Sequence, residues 1–283
     1  MIRRLLGEGI YHTGDGHELY WSHHGTPGTF PWIFLHGGPG GKSVADHLTF
    51  FDLNRTQVVL FDQRGCGYSS PQGSVVNNTT ELLLSDIEAL REQFAFGSIG
   101  LLGISWGSWL ALRYRHLFPH RVAKLVTACL FVPAPSVLES FLDVTLSSMG
   151  RDRASVDIVE LYDALCSDDA VRQHGAARVW LRANLELAGR SMGGDVLEAF
   201  IDKEAIASIR IELHYLLHGF GDMTLGASVE PAPIVIQGRH DVLGMKSLEW
   251  LQRVEHPQIQ IYGVGHEPFH PTMHEAIRLS LGG

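Results

Sequence analysis

The sequence GISWG at residues 103–107 has the form G-x-S-x-G and lies between an apolar run, Ile99–Leu102, and a helical run, Ser108–Leu117. A serine placed between a strand and a helix in this way predicts a tight turn, the nucleophile elbow, that projects the hydroxyl of Ser105 above a sheet. The flanking glycines suit such a turn because a Cβ atom would clash with the crowded backbone. The motif is short, so its meaning depends on the elements and partner residues around it.

Composition argues against several classes of protein. The 283 residues are 45% hydrophobic and 19% charged, which is enough for one large domain, or for a core with an inserted lid. The net charge of −9, with no basic stretch, argues against nucleic-acid binding. No apolar run approaches the ~20 residues that a membrane span needs. We therefore expect neither nucleic acid nor a membrane as a partner, while the negative charge is compatible with a substrate that carries a free amine.

The cysteine pattern predicts a cellular compartment. The chain has three cysteines, Cys66, Cys129 and Cys166, which lie far apart in the sequence. An odd, sparse set is typical of reduced thiols rather than of a disulfide framework. The first nine residues hold two arginines but no apolar segment after them, so no signal peptide is predicted. We expect a cytoplasmic protein, and the sequence leaves its oligomeric state open.

Strand and helix signals alternate along the first half of the chain. Helices are predicted at Thr79–Phe94, with Thr80 as the N-cap, and at residues 108–117. From Pro133 to about Ser228 the apolar periodicity is helical, with no convincing strand. A final helix is predicted at residues 271–281. Strands are predicted at 9–12, 18–22, 30–35, 58–61, 99–102, 124–131, 234–237 and 258–262.

This order of elements predicts an α/β fold of the α/β-hydrolase type. Alternating strands and helices imply a mostly parallel central sheet with helices on both faces. The long helical interruption implies an insertion, so we expect residues 1–132 and 229–283 to form the hydrolase core and residues 133–228 to form a helical cap. Ligands of such sheets bind beyond the carboxyl ends of the strands, where the cap would cover them.

The order of residues along the chain predicts a catalytic triad. A serine hydroxyl needs a base within hydrogen-bond reach and an acid that orients the base. In α/β-hydrolases the acid follows a late strand and the base follows the last strand. Asp241 follows the strand at 234–237 and His266 follows the strand at 258–262, so we predict Ser105 as nucleophile, Asp241 as acid and His266 as base. His240 is the rival base, but it precedes the last strand.

A glycine-rich loop predicts the oxyanion hole, where backbone N–H groups face the developing negative charge. The sequence HGGPGG at residues 36–41 follows an early strand, as the loop that supplies one donor does in this fold. We choose Gly38 as that donor, because a residue without Cβ lets the substrate carbonyl approach. The second donor is the N–H of Trp106, the residue after the nucleophile.

Two further motif matches do not predict a cofactor site. GGKS at residues 40–43 resembles the end of a phosphate-binding loop, but His36 stands where the first glycine of that motif belongs. HEPFH at residues 266–270 matches the H-E-x-x-H of zinc peptidases. Pro268 disfavours the continuous helix that would place both histidines on one face. We therefore expect no metal and no cofactor.

Taken together, the motifs resemble the proline iminopeptidase family of α/β-hydrolase serine peptidases. The resemblance covers most of the predicted core and rests on HGGPGG (36–41), DQRGCGYS (62–69), NTT (78–80), SWGS (105–108), GRHD (238–241) and GH (265–266). That family removes an N-terminal residue, typically proline, from short peptides without a metal or cofactor. The resemblance implies a small-molecule or short-peptide substrate with a free N-terminus, and the same three catalytic residues.

The resemblance also implies two substrate-binding residues. RIELHY at residues 210–215 is similar to the family's R-I-E-x-H-Y segment, whose glutamate binds the α-amino group of the substrate. Glu212 is thereby implied to bind the amine, and a carboxylate is a suitable partner for an ammonium. Phe131 stands where the family has an aromatic wall of its proline pocket.

The chain departs from the family pattern in three places. Ile104 replaces a glycine of GGSWGS, Tyr68 replaces an arginine of DQRGCGRS, and residues 136–150 lack the aromatic W-x-Y-Q-x-G-A segment. The residue released is therefore left open between proline and another small or apolar residue. One alternative is an esterase, amidase or lactonase that uses the same triad on a small non-peptide substrate. Another is a non-catalytic ligand-binding protein of this fold, which would be expected to lack a triad residue that is present here.

Overall fold

The computed structural model describes residues 4–148, 157–187, 194–226 and 228–282. Parts of the predicted cap, residues 149–156, 188–193 and 227, lie outside the described residues. The described strands are β1 (Leu5–His12), β2 (Glu18–Gly25), β3 (Phe30–Leu35), β4 (Thr56–Phe61), β5 (Ile99–Ile104), β6 (Val122–Ala128), β7 (Ile234–Gly238) and β8 (Gln258–Tyr262). The described α-helices are α1 (Thr80–Gln93), α2 (Trp106–Leu117), α3 (Pro135–Ser148), α4 (Ile158–Cys166), α5 (Ala170–Leu187), α6 (Gly194–Ala199), α7 (Lys203–His218), α8 (Val242–Leu251) and α9 (Pro271–Ser280).

The eight strands form one sheet in the order β1-β2-β4-β3-β5-β6-β7-β8. β2 pairs antiparallel with both β1 and β4, and every other neighbouring pair is parallel. In the centre of the sheet, Phe34 of β3 lies beside Leu60 of β4 and Leu102 of β5. The predicted α/β fold with a mostly parallel sheet is confirmed.

The central strands β3, β4 and β5 are mostly buried, and because neighbouring residues of a strand point to opposite sides, both faces of this part of the sheet are covered. Ile33 and Leu101 pack in a core with residues of α1 and α2. Phe34 and Leu102, the next residues along the same strands, pack in a second core that includes Ile277 of α9. Helices therefore cover both faces of the sheet. Because the central strands are parallel, their carboxyl ends meet at one edge, where the site residues are expected.

The helices between β6 and β7 have a hydrophobic cluster of their own. Leu165 of α4, Trp180 of α5 and Leu213 of α7 are among its buried members. None of the described residues between these two strands belongs to a strand, in agreement with the helical periodicity of the sequence. Across the described residues, every helix is too short or too polar to cross a membrane.

Helix α7 is tied to the loops at the carboxyl edge of the sheet. The hydroxyl of Tyr215 donates to Oδ1 of Asn78 at 3.0 Å, near the start of α1. A Cβ atom on Gly40, which has a φ of 92°, would lie 2.3 Å from the carbonyl oxygen of Ser208. Only glycine permits this approach. Residues on α7 are therefore held in a defined position above the sheet edge.

The structure corrects the predicted start of α1. Its N-cap is Thr79, whose Oγ1 accepts a 3.4 Å hydrogen bond from the N–H of Leu82. The hydroxyl of Thr80 donates instead to the carbonyl oxygen of Phe220 at 2.7 Å. Threonine is a favourable N-cap residue, so both positions were suitable. The hydrogen bond of Thr80 to Phe220, which is distant in the sequence, leaves Thr79 as the cap. Strand β6 ends at Ala128 rather than at Phe131.

Candidate active site

Ser105 occupies the turn between β5 and α2. Its φ of 54° and ψ of −123° are rarely adopted by side-chain-bearing residues and cost on the order of 1–3 kcal/mol. Two glycines make room for the turn: a Cβ on Gly103 would lie 2.3 Å from the carbonyl oxygen of Gly107, and one on Gly107 would lie 2.0 Å from that of Leu35. The local sequence thus allows the strained backbone that presents the Ser105 side chain at the sheet edge.

Asp241 and His266 lie together at the same edge. Asp241 caps α8 by accepting the N–H of Gly244 through Oδ1 at 2.9 Å. Its Oδ2 accepts from Nδ1 of His266 at 2.7 Å and from Nε2 of Gln237 at 2.9 Å. A carboxylate can only accept, so Nδ1 of His266 carries the proton and Nε2 is left to receive one. The Asp241 side chain is 4% exposed and that of His266 is 45% exposed, so the acid is shielded while the ring reaches solvent.

Asp241 is held in its charged form. Burial raises the pKa of Asp241, but hydrogen bonds from His266, Gly244 and Gln237 together outweigh burial, and the pKa lies below the usual value for aspartate. A charged aspartate orients an imidazole and stabilises the imidazolium that forms when the ring takes a proton. The pair is therefore suited to general acid–base chemistry.

A cavity of about 470 Å³ brings the predicted catalytic residues together. Ser105, Asp241 and His266 all contribute to its wall, as does His240. In the part of the chain that the structure describes, the Ser105 hydroxyl makes no hydrogen bond to His266. Contacts between a nucleophile and its base often tighten only when substrate binds. His240, the rival base, likewise makes no hydrogen bond to Asp241 among the described residues.

A buried network holds the glycine-rich loop against the nucleophile turn. The indole N–H of Trp106 donates to Oε1 of Gln63 at 3.0 Å, and Nε2 of Gln63 donates to the carbonyl oxygen of His36 at 3.0 Å. The backbone N–H of Gln63 donates to Nε2 of His36 at 3.0 Å. Burial lowers the pKa of His36, so its ring is neutral, and the proton on Nδ1 donates to the carbonyl oxygen of Gly37 at 2.8 Å.

The two predicted oxyanion donors differ in how they reach the cavity. Gly38 lines it and has a φ of 134°. A Cβ there would lie 2.6 Å from the backbone nitrogens of Gly40 and Gly41, so only glycine fits. Trp106 has a fully buried side chain that does not line the cavity, but it is the first residue of α2. Its backbone N–H has no partner within the helix, as is general for the first turn.

Glu212 and Phe131, implied by the resemblance alone, also line the cavity. Glu212 is half-buried on α7, and its Oε2 accepts the indole N–H of Trp180 at 2.9 Å. Burial raises the pKa of Glu212 to about 7, an effect that the hydrogen bond from Trp180 only reduces. No described lysine or arginine lines the cavity, so a cationic ligand would supply the missing positive charge. Phe131 packs edge-on against Phe220, with ring centres 6.0 Å apart, and forms an apolar wall.

The raised pKa of Glu212 predicts a cost in stability at high pH. With a usual pKa of 4.5 and a folded pKa of about 7, the glutamate loses its proton more easily in the unfolded chain. Folding stability therefore falls as pH rises from 4.5 to 7 and stays lower above that range. Glu212→Gln removes the charge that is unfavourable in the folded state. We therefore expect it to raise the free energy of unfolding at pH 8, by only on the order of 2 kcal/mol because water partly reaches the group. Urea unfolding at pH 8 and pH 5 measures this gain, which should shrink at pH 5.

The matched control is Glu249→Gln, an exposed glutamate on α8 outside the cavity. Its unfolding free energy should change little at either pH. Equal stability of wild type and Glu212→Gln at pH 8 would show that the carboxylate is not held in an unfavourable environment.

Three residues that position the site were not predicted from the sequence. Gln237 donates to Asp241 and accepts the N–H of Leu130 at 2.8 Å through Oε1, so it links two neighbouring strand ends. Gln63 donates to the carbonyl oxygen of His36 and so holds the glycine-rich loop. Trp180 donates to the carboxylate of Glu212 and so holds that side chain. For Gln237 one signal was present, namely a polar residue at the end of an otherwise apolar strand.

Among the residues that the structure describes, one group of side chains in the site has metal-binding atoms close together. These atoms of Cys129, Asp241 and His266 lie within 4.8 Å of one another. Burial raises the pKa of the Cys129 thiol, and Asp241 and His266 already bond to each other, so an ion would have to displace that bond and deprotonate the thiol. The zinc-peptidase match fails as well, because α9 begins at Pro271, after both His266 and His270. The arrangement of Asp241 and His266 therefore favours an acid–base pair over a metal site.

Comparisons with known proteins agree with this architecture. The family model of the α/β hydrolase fold matches residues 31–157. The chain is 34% identical to a proline iminopeptidase of Arabidopsis thaliana, over 91% of this chain and 74% of that protein. It is 32% identical to a proline iminopeptidase of Xylella fastidiosa, over 95% of this chain and 93% of that one. A proline iminopeptidase-related protein from Thermus thermophilus has a similar fold, with a TM-score of 0.65 at 21% identity, covering 97% of this chain and 96% of that chain.

Proposed function

The chain belongs to the proline iminopeptidase family, and from this membership we propose that it is a serine aminopeptidase that releases an N-terminal residue from short peptides. The residue released is proline or another small or apolar residue, and the reaction passes through an acyl-enzyme. The substrate is a peptide or small molecule with a free N-terminus. We also propose a cytoplasmic location, which the three free cysteines support.

In the proposed mechanism, Nε2 of His266 takes the proton of the Ser105 hydroxyl as its oxygen attacks the carbonyl carbon of the N-terminal residue. The N–H groups of Gly38 and Trp106 stabilise the oxyanion. His266 then gives the proton to the leaving amine, and the acyl-enzyme forms. Water, activated by the same ring, attacks the ester and restores Ser105.

The observation that carries the proposal is the 2.7 Å hydrogen bond from His266 to Asp241, in the wall of the cavity that Ser105 also lines. The ionised acid supports the tautomer that leaves Nε2 free to accept a proton. A strained serine between a strand and a helix supports its role as the nucleophile.

Glu212 is proposed to bind the α-ammonium group of the substrate, and Phe131 is proposed to contact the side chain of the substrate's N-terminal residue. A raised pKa supports this role, because an ammonium group would supply the countercharge that Glu212 lacks. We also propose that residues 133–228 act as a cap over the core of residues 1–132 and 229–283. The separate hydrophobic cluster of α4, α5 and α7 supports that division.

The proposal is tested with aminoacyl p-nitroanilides, each made with a free and with an acetylated amine. We expect kcat/KM to favour the free amine by about 10- to 100-fold, the range for a hydrogen bond to a charged group. Glu212→Gln should reduce this ratio much more than it reduces the hydrolysis of a p-nitrophenyl ester that lacks an amine. A preference for acetylated substrates would instead favour an esterase or amidase, and equal losses on both substrates would remove Glu212 from the proposed role.

A further inference from the structure

The charges around the cavity are unbalanced. The carboxylates that line it belong to Glu212, Asp241 and Glu267, whereas no described lysine or arginine does so. Asp241 accepts a hydrogen bond from His266 and so has a partner within the catalytic pair. Glu212 is matched, in the proposed function, by the amine of the substrate. Glu267 has no role in the mechanism and no such partner.

Glu267 is exposed on the segment between β8 and α9. Its backbone is held in place, because its carbonyl oxygen accepts the N–H of His270 at 3.0 Å and the next residue is Pro268. Within the described ranges, its carboxylate makes neither a hydrogen bond nor an ion pair. The structure thus places an exposed glutamate, whose backbone is held by a hydrogen bond, in the wall of the cavity.

The position of Glu267 in the chain relates this charge to one part of the substrate. His266 protonates the leaving nitrogen in the proposed mechanism, so the second residue of a bound peptide lies beside the imidazole. Glu267 follows His266 directly and lines the same cavity. A negative charge on a cavity residue next to the imidazole acts on the charge of the leaving group across the cavity.

We infer that Glu267 is a specificity-determining residue that favours peptides whose second residue is cationic and disfavours those with a negative charge at that position. This inference rests on the proposed function, because it assigns the leaving-group side from the role of His266. A dipeptide with a free carboxylate is disfavoured for the same reason, so longer peptides and dipeptide amides are the preferred class of substrate. Attraction and repulsion between solvent-exposed charges act through water and weaken with salt.

The test uses three dipeptide amides, X-Lys-NH2, X-Gln-NH2 and X-Glu-NH2, at pH 8. X is whichever N-terminal residue the wild-type protein releases fastest from p-nitroanilides. An exposed ion pair changes binding by a factor of about 1.5 to 5, and gain for lysine combines with loss for glutamate, so we expect kcat/KM for lysine over glutamate to be about tenfold. The ratio should fall towards one in Glu267→Gln, fall below one in Glu267→Lys, and shrink in 1 M salt.

A ratio measured within one variant cancels any general loss of activity or stability. Glu249→Gln removes the same charge from an exposed site outside the cavity and should retain the wild-type ratio. An unchanged ratio in both Glu267 variants, or a wild-type ratio near one, would overturn the inference. The p-nitroanilides report the proposed function separately, since their leaving group is uncharged: their hydrolysis combined with a flat dipeptide ratio rejects only the role of Glu267, whereas failure to hydrolyse any of them rejects the aminopeptidase itself.

Discussion

Ser105→Ala is expected to abolish turnover while leaving the fold intact. Removing the nucleophile of a serine hydrolase lowers kcat by roughly 10⁶-fold. The hydroxyl of Ser105 makes no capping hydrogen bond to α2, so its loss should change the free energy of unfolding by no more than about 0.5 kcal/mol. Hydrolysis of a p-nitroanilide measures the first effect, and urea unfolding measures the second.

Labelling with a fluorophosphonate probe, which reacts with activated serines, gives an independent readout. The wild-type chain should be labelled and Ser105→Ala should not. Ser85→Ala, which removes an exposed hydroxyl on the first helix, is the matched control and should keep both labelling and turnover. Retained turnover in Ser105→Ala would identify a different nucleophile, and an unlabelled wild type would favour a non-catalytic binding protein.

Asp241→Asn is expected to lower kcat by about 10⁴-fold with little change in KM. In one orientation of the new amide, its nitrogen replaces the oxygen that accepts from His266 and Gln237. In the other orientation, the nitrogen faces the donating N–H of Gly244. Either way a donor meets a donor, and the first arrangement favours the His266 tautomer with its proton on Nε2, which cannot take the proton of Ser105.

The kcat and KM of a p-nitroanilide, measured for each variant, test this effect. Asp222→Asn changes an exposed aspartate that does not line the cavity, so it serves as the control and should keep wild-type kcat. If Asp241→Asn kept more than about a tenth of wild-type kcat, the charged carboxylate of Asp241 would contribute little to the reaction.

Local signals predicted most of the fold because short-range physics is sufficient for them. The alternation of apolar runs predicted the parallel strands, since strands buried on both faces need continuous apolar segments. The glycines of GISWG predicted the strained turn, because neighbouring backbone atoms leave no room for side chains at those positions. The order of acid and base along the chain directed attention to Asp241 and His266, which the structure joins by a hydrogen bond.

The positioning residues could not be predicted in this way, because each acts through a partner distant in the sequence. Gln237 bonds to Leu130, and Trp180 bonds to Glu212 on a different helix. The N-cap of α1 shows the same limit, since the contact of Thr80 with Phe220 separates two adjacent threonines with equal local preference. Residue type can mark such a residue, as it does for Gln237, but it does not identify the distant partner.

By itself, then, the sequence determined the order of the strands, the helical character of the segment between β6 and β7, the turn that carries Ser105 and the candidate acid and base, since backbone sterics and apolar periodicity act over a few residues. Only the tertiary structure decided that Glu212 is a half-buried carboxylate with a raised pKa, and that Glu267 is an exposed charge on the same cavity. Both are glutamates with the same intrinsic chemistry. The difference lies in how much water and which dipoles surround each carboxylate, and that environment exists only after distant parts of the chain have packed together.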